Sequence, residues 1–154
     1  QPTPAMRARA AAALAQVGLA GREQENYLHL SEGQKQLCIL ARTLAAQGQL
    51  LLLDEPESAL DFRYRYRMLA LLQGWAAEGG RAALVTLHDP GLALNCCDRL
   101  LILAEGGVQG VLAPKTDPLP RMEEQLSAVY GAVSLARCRD RAGREQLVML
   151  KEPE

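Results

Sequence analysis

The sequence contains no long hydrophobic run. Its longest purely aliphatic stretch, Leu50–Leu53, falls far short of the roughly 20 apolar residues that a membrane-spanning helix requires. The net charge is also small, at −1 for 154 residues, so the chain has no global basic field of the kind that drives general binding to nucleic acid. We therefore expect no direct membrane insertion and no nucleic-acid partner.

The cysteines form no metal-binding pattern. Cys96 and Cys97 are adjacent, Cys38 and Cys138 stand alone, and no pair has the spacing of a metal site. No signal-peptide pattern is visible, so we expect reduced cytosolic thiols. Because the chain opens at Gln1 without an initiating Met, we also expect it to be part of something longer.

A capped helix is the clearest local feature. Ser31 and Gln34 have the capping-box spacing, in which the hydroxyl accepts from a first-turn amide and the glutamine reaches back. The helix is predicted to run to about Gln47, after an earlier helix over residues 5–17, and its apolar stripe has the i, i+3, i+4, i+7 spacing at Leu37, Leu40, Ala41 and Leu44. Gly33 leaves the first turn open to close approach, so this helix start is suited to an anion.

Two apolar runs end abruptly on polar residues. The run 50–53 stops at Asp54 and Glu55, and the run 82–87 stops at His88, with a helix predicted between them over residues 62–78. Continuous apolar runs of this length predict strands of a parallel sheet buried on both faces. The carboxyl ends of such strands form the edge where α/β folds bind ligands.

The last part of the chain has a different pattern. Residues 100–104 and 108–112 read as two strands across a Glu-Gly-Gly turn, and residues 133–138 and 146–150 read as a second hairpin. A short helix is predicted between them, over residues 122–130. The chain as a whole is therefore predicted to be an α/β layer fold that closes with antiparallel hairpins.

Four segments together resemble the ATPase domain of ABC transporters. Leu30–Gln34 is similar to the LSGGQ signature, Leu50–Glu55 to the Walker B strand with its following glutamate, Ser58–Asp61 to the D-loop, and His88 to the switch histidine. The resemblance implies a P-loop NTPase-like (RecA-like) layered parallel sheet, here truncated. It divides the chain into a remnant of the helical subdomain (1–47), part of the nucleotide-binding core (48–112) and a C-terminal β-hairpin extension (113–154).

The resemblance also implies a role for each site residue. Asp54 would hold Mg²⁺, Glu55 would position or deprotonate the water that attacks ATP, and His88 would contact the γ-phosphate. The residues implied to bind nucleotide, those of the signature toward the ATP of a second copy, are Ser31, Glu32, Gly33, Gln34, Ser58 and Asp61. The implied partners are a second ATPase domain and a membrane permease, which would hold the protein on the cytoplasmic side of the membrane.

The sequence departs from the family pattern at three places. It contains no Walker A loop, since none of Lys35, Lys115 and Lys151 follows a glycine. We therefore expect this chain alone neither to bind ATP tightly nor to hydrolyse it, and we expect the missing strand to leave sheet edges that self-associate. Glu32 replaces a signature glycine and Glu57 replaces a threonine, and both side chains are expected to face solvent.

Within the family, the resemblance is to importers of metal chelates such as iron siderophores, haem and cobalamin. It rests on residues 35–37, 60–62 and 128–131. Two other functions remain open: a soluble ABC ATPase that acts outside transport, and a non-catalytic module that lends its signature to a partner. The presence of both Glu55 and His88 weighs against the second.

Overall fold

The computed structural model describes residues 1–153, and the chain divides after His88 into two compact units. This division follows compactness, whereas the three segments predicted from the sequence (1–47, 48–112 and 113–154) are defined by role. Those segments stay a prediction. In the described residues, no helix is both long and apolar enough to cross a membrane.

The first unit combines helices with one pair of strands. Its elements are helix α1 (Pro4–Gln16), a 3-10 turn (Tyr27–His29), helix α2 (Glu32–Ala45), strand β1 (Leu50–Leu53), helix α3 (Phe62–Ala77) and strand β2 (Ala82–Val85). Helices α1 and α2 pack together. The apolar stripe of α2 is buried as predicted, at Leu37, Leu40, Ala41 and Leu44.

Strands β1 and β2 pair in parallel, with Leu50 opposite Ala82 and Leu53 opposite Val85. The expectation that both faces would be buried is wrong. Leu51 is 3% exposed, whereas Leu50 and Leu52 on the other face are 59% and 67% exposed. The reason is that burial on both faces needs cover on both faces, and in the described residues one face of this two-stranded sheet has none.

The second unit is built from two hairpins and two helices. Its elements are helix α4 (Pro90–Cys96), strands β3 (Leu100–Ala104) and β4 (Gly107–Leu112), helix α5 (Leu119–Tyr130), and strands β5 (Val133–Arg139) and β6 (Glu145–Lys151). β3 pairs antiparallel with β4, and β5 with β6. Its core consists of Leu94, Ile102, Leu112, Met122, Leu126, Val133, Leu135 and Leu147.

Both predicted hairpins are therefore confirmed. Glu105 and Gly106 have φ values of 50° and 77° at the first turn, the left-handed conformation that a tight hairpin turn needs. Helix α5 begins at Leu119, earlier than the predicted residue 122. Pro120 lies in its first turn, where a proline costs nothing because that N–H has no helical partner.

Candidate functional site

The carboxyl ends of β1 and β2 bring together four polar residues. Leu53 pairs with Val85, so the residues that follow each strand meet at the same edge of the sheet. The pairing continues one step further, since the Thr86 N–H donates to the Leu53 carbonyl at 3.0 Å. Asp54, Glu55, Thr86 and His88 consequently lie side by side.

Thr86 braces both acidic residues. Its Oγ1 donates to Asp54 Oδ1 at 2.7 Å and accepts the Glu55 N–H at 2.8 Å. Glu55 has a φ of 44°, a left-handed conformation that costs a residue with a side chain about 1–2 kcal/mol. The hydroxyl of Thr86 therefore holds the backbone of Glu55 in a conformation that it would otherwise avoid.

Glu55 and His88 contact each other directly. His88 Nε2 lies 2.7 Å from Glu55 Oε1, and the His88 side chain is 76% exposed. The hydrogen bond to Glu55, and then the charge of Glu55, raise the pKa of His88 above its ordinary value of 6.5; desolvation lowers the pKa, and the charges of Glu57 and Asp54 raise it by smaller amounts. The imidazole thus stays charged to higher pH than an isolated histidine.

Glu57 is not the solvent-facing residue that its loop position predicts. It is 3% exposed, and its Oε1 accepts the backbone N–H of His88 at 3.2 Å. Its Oε2 has no hydrogen-bond partner among the described residues. Glu57 is buried because of a tertiary contact: the turn after β1 places its side chain against the backbone of His88, which follows β2.

The predicted capping box at the start of α2 is confirmed. Ser31 Oγ accepts the Gln34 N–H at 3.3 Å, and Gln34 Oε1 accepts the Ser31 N–H at 3.0 Å. Glu32 points to solvent as expected and pairs with Lys35 at 2.7 Å. The Gln34 side chain is therefore engaged by its own helix, which leaves backbone amides as the groups that this helix start offers to an anion.

The segment 58–61 follows as a tight turn. The Ser58 N–H donates to the Glu55 carbonyl at 3.1 Å, and Asp61 Oδ1 caps helix α3 by accepting the Tyr64 N–H at 3.0 Å. A Cβ at Gly33 would lie 3.1 Å from the Ala59 carbonyl oxygen. This turn and the start of α2 are thus in close contact.

The predicted site residues therefore fall into two groups. Asp54, Glu55 and His88 form one, and the start of α2 with the turn 58–61 forms the other. In the part of the chain that the structure describes, no hydrogen bond or ion pair links residues 31–34 to Asp54, Glu55 or His88.

Sequence reasoning missed Thr86 and Glu57. The strand register contained a signal for Thr86, because a parallel pairing of runs 50–53 and 82–85 places residue 86 beside residue 54. Glu57 had no such signal. A glutamate four residues after the strand in a turn is ordinarily solvated, and only the folded chain reveals its contact with His88.

The donor set fits a metal ion held mainly by nucleotide and water. Among the described residues, no group of three or more His, Cys, Asp or Glu side chains has a metal-binding arrangement. One exposed carboxylate, Asp54, with the Thr86 hydroxyl beside it, matches the sparse protein ligation that Mg²⁺ accepts in phosphate sites. It does not match a cage of protein ligands.

Parallel strands that end in acidic residues and a histidine, together with a capped helix, define an α/β domain of the P-loop NTPase class. The ABC transporter family matches residues 3–58 of the chain. An aliphatic sulfonates import ATP-binding protein of Paraburkholderia xenovorans is 40% identical over 84% of this chain and 52% of its own length. The chain belongs to the ATP-binding proteins of the ABC transporter family.

One further relative and two solved structures are also ABC transporter proteins. A cobalamin import ATP-binding protein of Halobacterium salinarum is 36% identical over 68% of this chain and 26% of its own length. The solved structure of a metal-chelate type ABC transporter matches 99% of this chain and 60% of its own, with a TM-score of 0.82 and 25% identity. A dimeric bacterial ABC transporter cassette matches 74% of this chain and 50% of its own, with a TM-score of 0.67 and 28% identity. The chain spans less than two thirds of each relative's length.

Proposed function

We propose that this chain is part of the ATP-hydrolysing subunit of an ABC importer. The observation that carries the proposal is the contact of Glu55 with His88 at 2.7 Å, beside Asp54 at the carboxyl ends of two parallel strands. A carboxylate that can position or deprotonate water, a histidine that can donate to a phosphate and a metal-binding carboxylate at that edge are groups suited to phosphoryl transfer to water.

Each of these side chains has one task in the proposal. Asp54 holds Mg²⁺, which neutralises charge on the phosphates when it is bound. Glu55 accepts a proton from the attacking water or orients it, and His88 donates a hydrogen bond to the γ-phosphate. Because Glu55 and His88 contact each other in this structure, their pairing must give way before both can meet a substrate.

The second group supports a site shared between two copies. Residues 31–34 and the turn residues Ser58 and Asp61 are offered to the nucleotide of a second copy, where the first-turn amides of α2 attract phosphate. The dimeric cassette among the similar structures supports such a pairing. By the same reasoning, the protein works as a homodimer with permease subunits, on the cytoplasmic face of the membrane.

The similar proteins point to two classes of transported substrate. A metal chelate, such as an iron siderophore, is favoured by the similar metal-chelate type transporter and the cobalamin import relative. Import of aliphatic sulfonates is the activity named for other relatives. Uptake of radiolabelled ferric siderophore and of a labelled alkanesulfonate, in cells with and without the gene, distinguishes the two.

An ATPase assay on the product of the complete gene tests the enzymatic proposal. We expect the gene to encode a G-x-x-x-x-G-K-[ST] loop upstream of this chain, and we expect Glu55→Gln to lower kcat by about 10²–10⁴-fold. Glu124→Gln is the matched control, because Glu124 is exposed on α5. Wild-type turnover in Glu55→Gln contradicts the assigned role.

The chain by itself is predicted not to bind ATP tightly, since it carries no glycine-lysine pair to cradle the phosphates. Isothermal titration of the 154-residue chain with MgATP measures this directly. Micromolar affinity in that titration would mean that another cradle exists in these residues.

A further inference from the structure

The turn after β1 contains a buried carboxylate with an unusual environment. Glu57 is 3% exposed and is the one buried charged residue in the described part of the chain. One oxygen accepts the His88 N–H at 3.2 Å, and the other has no hydrogen-bond partner among the described residues. Burying a carboxylate is costly. The hydrogen bond from the His88 N–H is the one that offsets this cost, so we take it as the role of the side chain.

That contact joins two segments that are far apart in sequence. The turn is internally closed, since the Ser58 N–H donates to the Glu55 carbonyl at 3.1 Å and the Leu60 N–H to the Glu57 carbonyl at 3.0 Å. A closed turn is a firm support. From it, the Glu57 side chain reaches across to the backbone of His88.

The His88 side chain has little else to hold it. It is 76% exposed, and its imidazole contacts Glu55 at 2.7 Å. An exposed side chain that lacks packing takes its position from its backbone and from its polar contacts. Fixing the His88 backbone therefore fixes where the imidazole meets Glu55.

We propose that Glu57 is a positioning residue for His88, which holds the backbone of the histidine so that its imidazole faces Glu55. The functional meaning rests on the proposed role of His88, whereas the contact itself does not. Glu57 acts through His88, since among the described residues no hydrogen bond or ion pair joins its side chain to the side chain of Asp54 or Glu55.

Two substitutions separate this role from simple packing. Glu57→Gln keeps an oxygen that can accept the His88 N–H, whereas Glu57→Met fills a similar volume without an acceptor. Both remove the negative charge, so the electrostatic effect of Glu57 on His88 is lost equally in the two variants. Any difference between them reports the hydrogen bond.

Amide hydrogen exchange of His88, followed by NMR in the full chain, is the primary measurement. In Glu57→Met we expect exchange at His88 to be faster by about tenfold, equivalent to ~1.4 kcal/mol, while the amides of Ser58 and Leu60 change little. In Glu57→Gln we expect a change within about twofold. The imidazole resonances should also titrate at lower pH in Glu57→Met than in Glu57→Gln.

Two outcomes would overturn the proposal. Equal exchange at His88 in both variants would mean that the hydrogen bond does not matter. Acceleration of Ser58 and Leu60 in Glu57→Met to the same extent as His88 would mean that Glu57 only packs the turn. None of these measurements needs nucleotide, so they can succeed or fail independently of the ATPase assay on the complete protein.

Discussion

The hydroxyl of Thr86 is the point at which a small change should have a large effect on the candidate site. Thr86→Val keeps the shape of the side chain but removes the donor to Asp54 Oδ1 at 2.7 Å and the acceptor of the Glu55 N–H at 2.8 Å. Because Glu55 has a φ of 44°, loss of the second bond also releases a strained backbone. The variant should therefore both lower stability and loosen Glu55.

The magnitude follows from the partners. A hydrogen bond to a charged group contributes about 1.5–3 kcal/mol, and a neutral one about 0.5–1.5 kcal/mol. Both of these bonds are solvent-exposed, and water can replace part of each, so we expect a net loss of about 1–2 kcal/mol in the free energy of unfolding. At a urea m-value of about 2 kcal/mol/M, the middle of the usual range for small proteins, the midpoint falls by about 0.5–1 M.

Urea denaturation followed by tryptophan fluorescence is the assay. Trp75 is the sole tryptophan, and it lies on α3 in the same compact unit as Thr86. Thr43→Val is the matched control, because Thr43 Oγ1 donates only to the Ile39 carbonyl of its own helix at 3.0 Å. If Thr86→Val and Thr43→Val shift the midpoint equally, the two hydrogen bonds of the Thr86 hydroxyl do not stabilise the site.

Three other predictions concern separate features. NMR should show His88 titrating above 6.5, and Glu55→Gln should lower that value because the hydrogen bond and charge of Glu55 raise the pKa; the pair stabilises the fold fully below the unfolded pKa and loses this contribution as pH rises through the folded one. Asn95→Ala should destabilise the second unit by about 1–3 kcal/mol in thermal unfolding, since the Asn95 amide bonds both the N–H and the carbonyl of Leu147 at 2.8 Å. Leu84→Lys should reduce concentration-dependent light scattering, because Leu84 is 52% exposed on the uncovered face of the sheet; a wild-type chain that stays monodisperse and monomeric at high concentration would contradict self-association.

The elements that could be predicted from sequence are those fixed by local chemistry. The capping box at Ser31 and Gln34 depends on residues three apart, and both of its hydrogen bonds are present. The turn at Glu105 and Gly106 is likewise indicated by a local signal, the glycine pair between two apolar runs, and Gly106 takes its positive φ without a steric cost. Helix starts and hairpin turns of this kind need no knowledge of the rest of the fold.

Features that depend on distant partners could not be predicted in the same way. The burial of Glu57 follows from its contact with a residue 31 positions away, and no local pattern encodes it. The exposure of Leu50 and Leu52 was missed for the opposite reason, since an apolar run indicates a strand but does not say whether a layer covers each face. Thr86 lies between these cases, because the parallel register alone places it beside Asp54.

The strained backbone of Glu55 and the buried carboxylate of Glu57 bear on the alternative function, in which this chain only contributes its signature helix to the nucleotide site of a partner. A lending module needs the start of α2 and the turn at residues 58–61, and it has no use for the other group. Yet the other group, Asp54, Glu55 and His88, contains a strained Glu55 at φ 44°. Around it lie the Thr86 hydroxyl, which accepts the Glu55 N–H, and the buried carboxylate of Glu57. Strain and buried polarity of this kind persist where the surrounding structure enforces them, and they cluster at sites that perform chemistry. These features therefore support the proposal that Glu55 and His88 act on a nucleotide in the complete protein, and they weigh against the alternative that the chain only completes the site of another subunit.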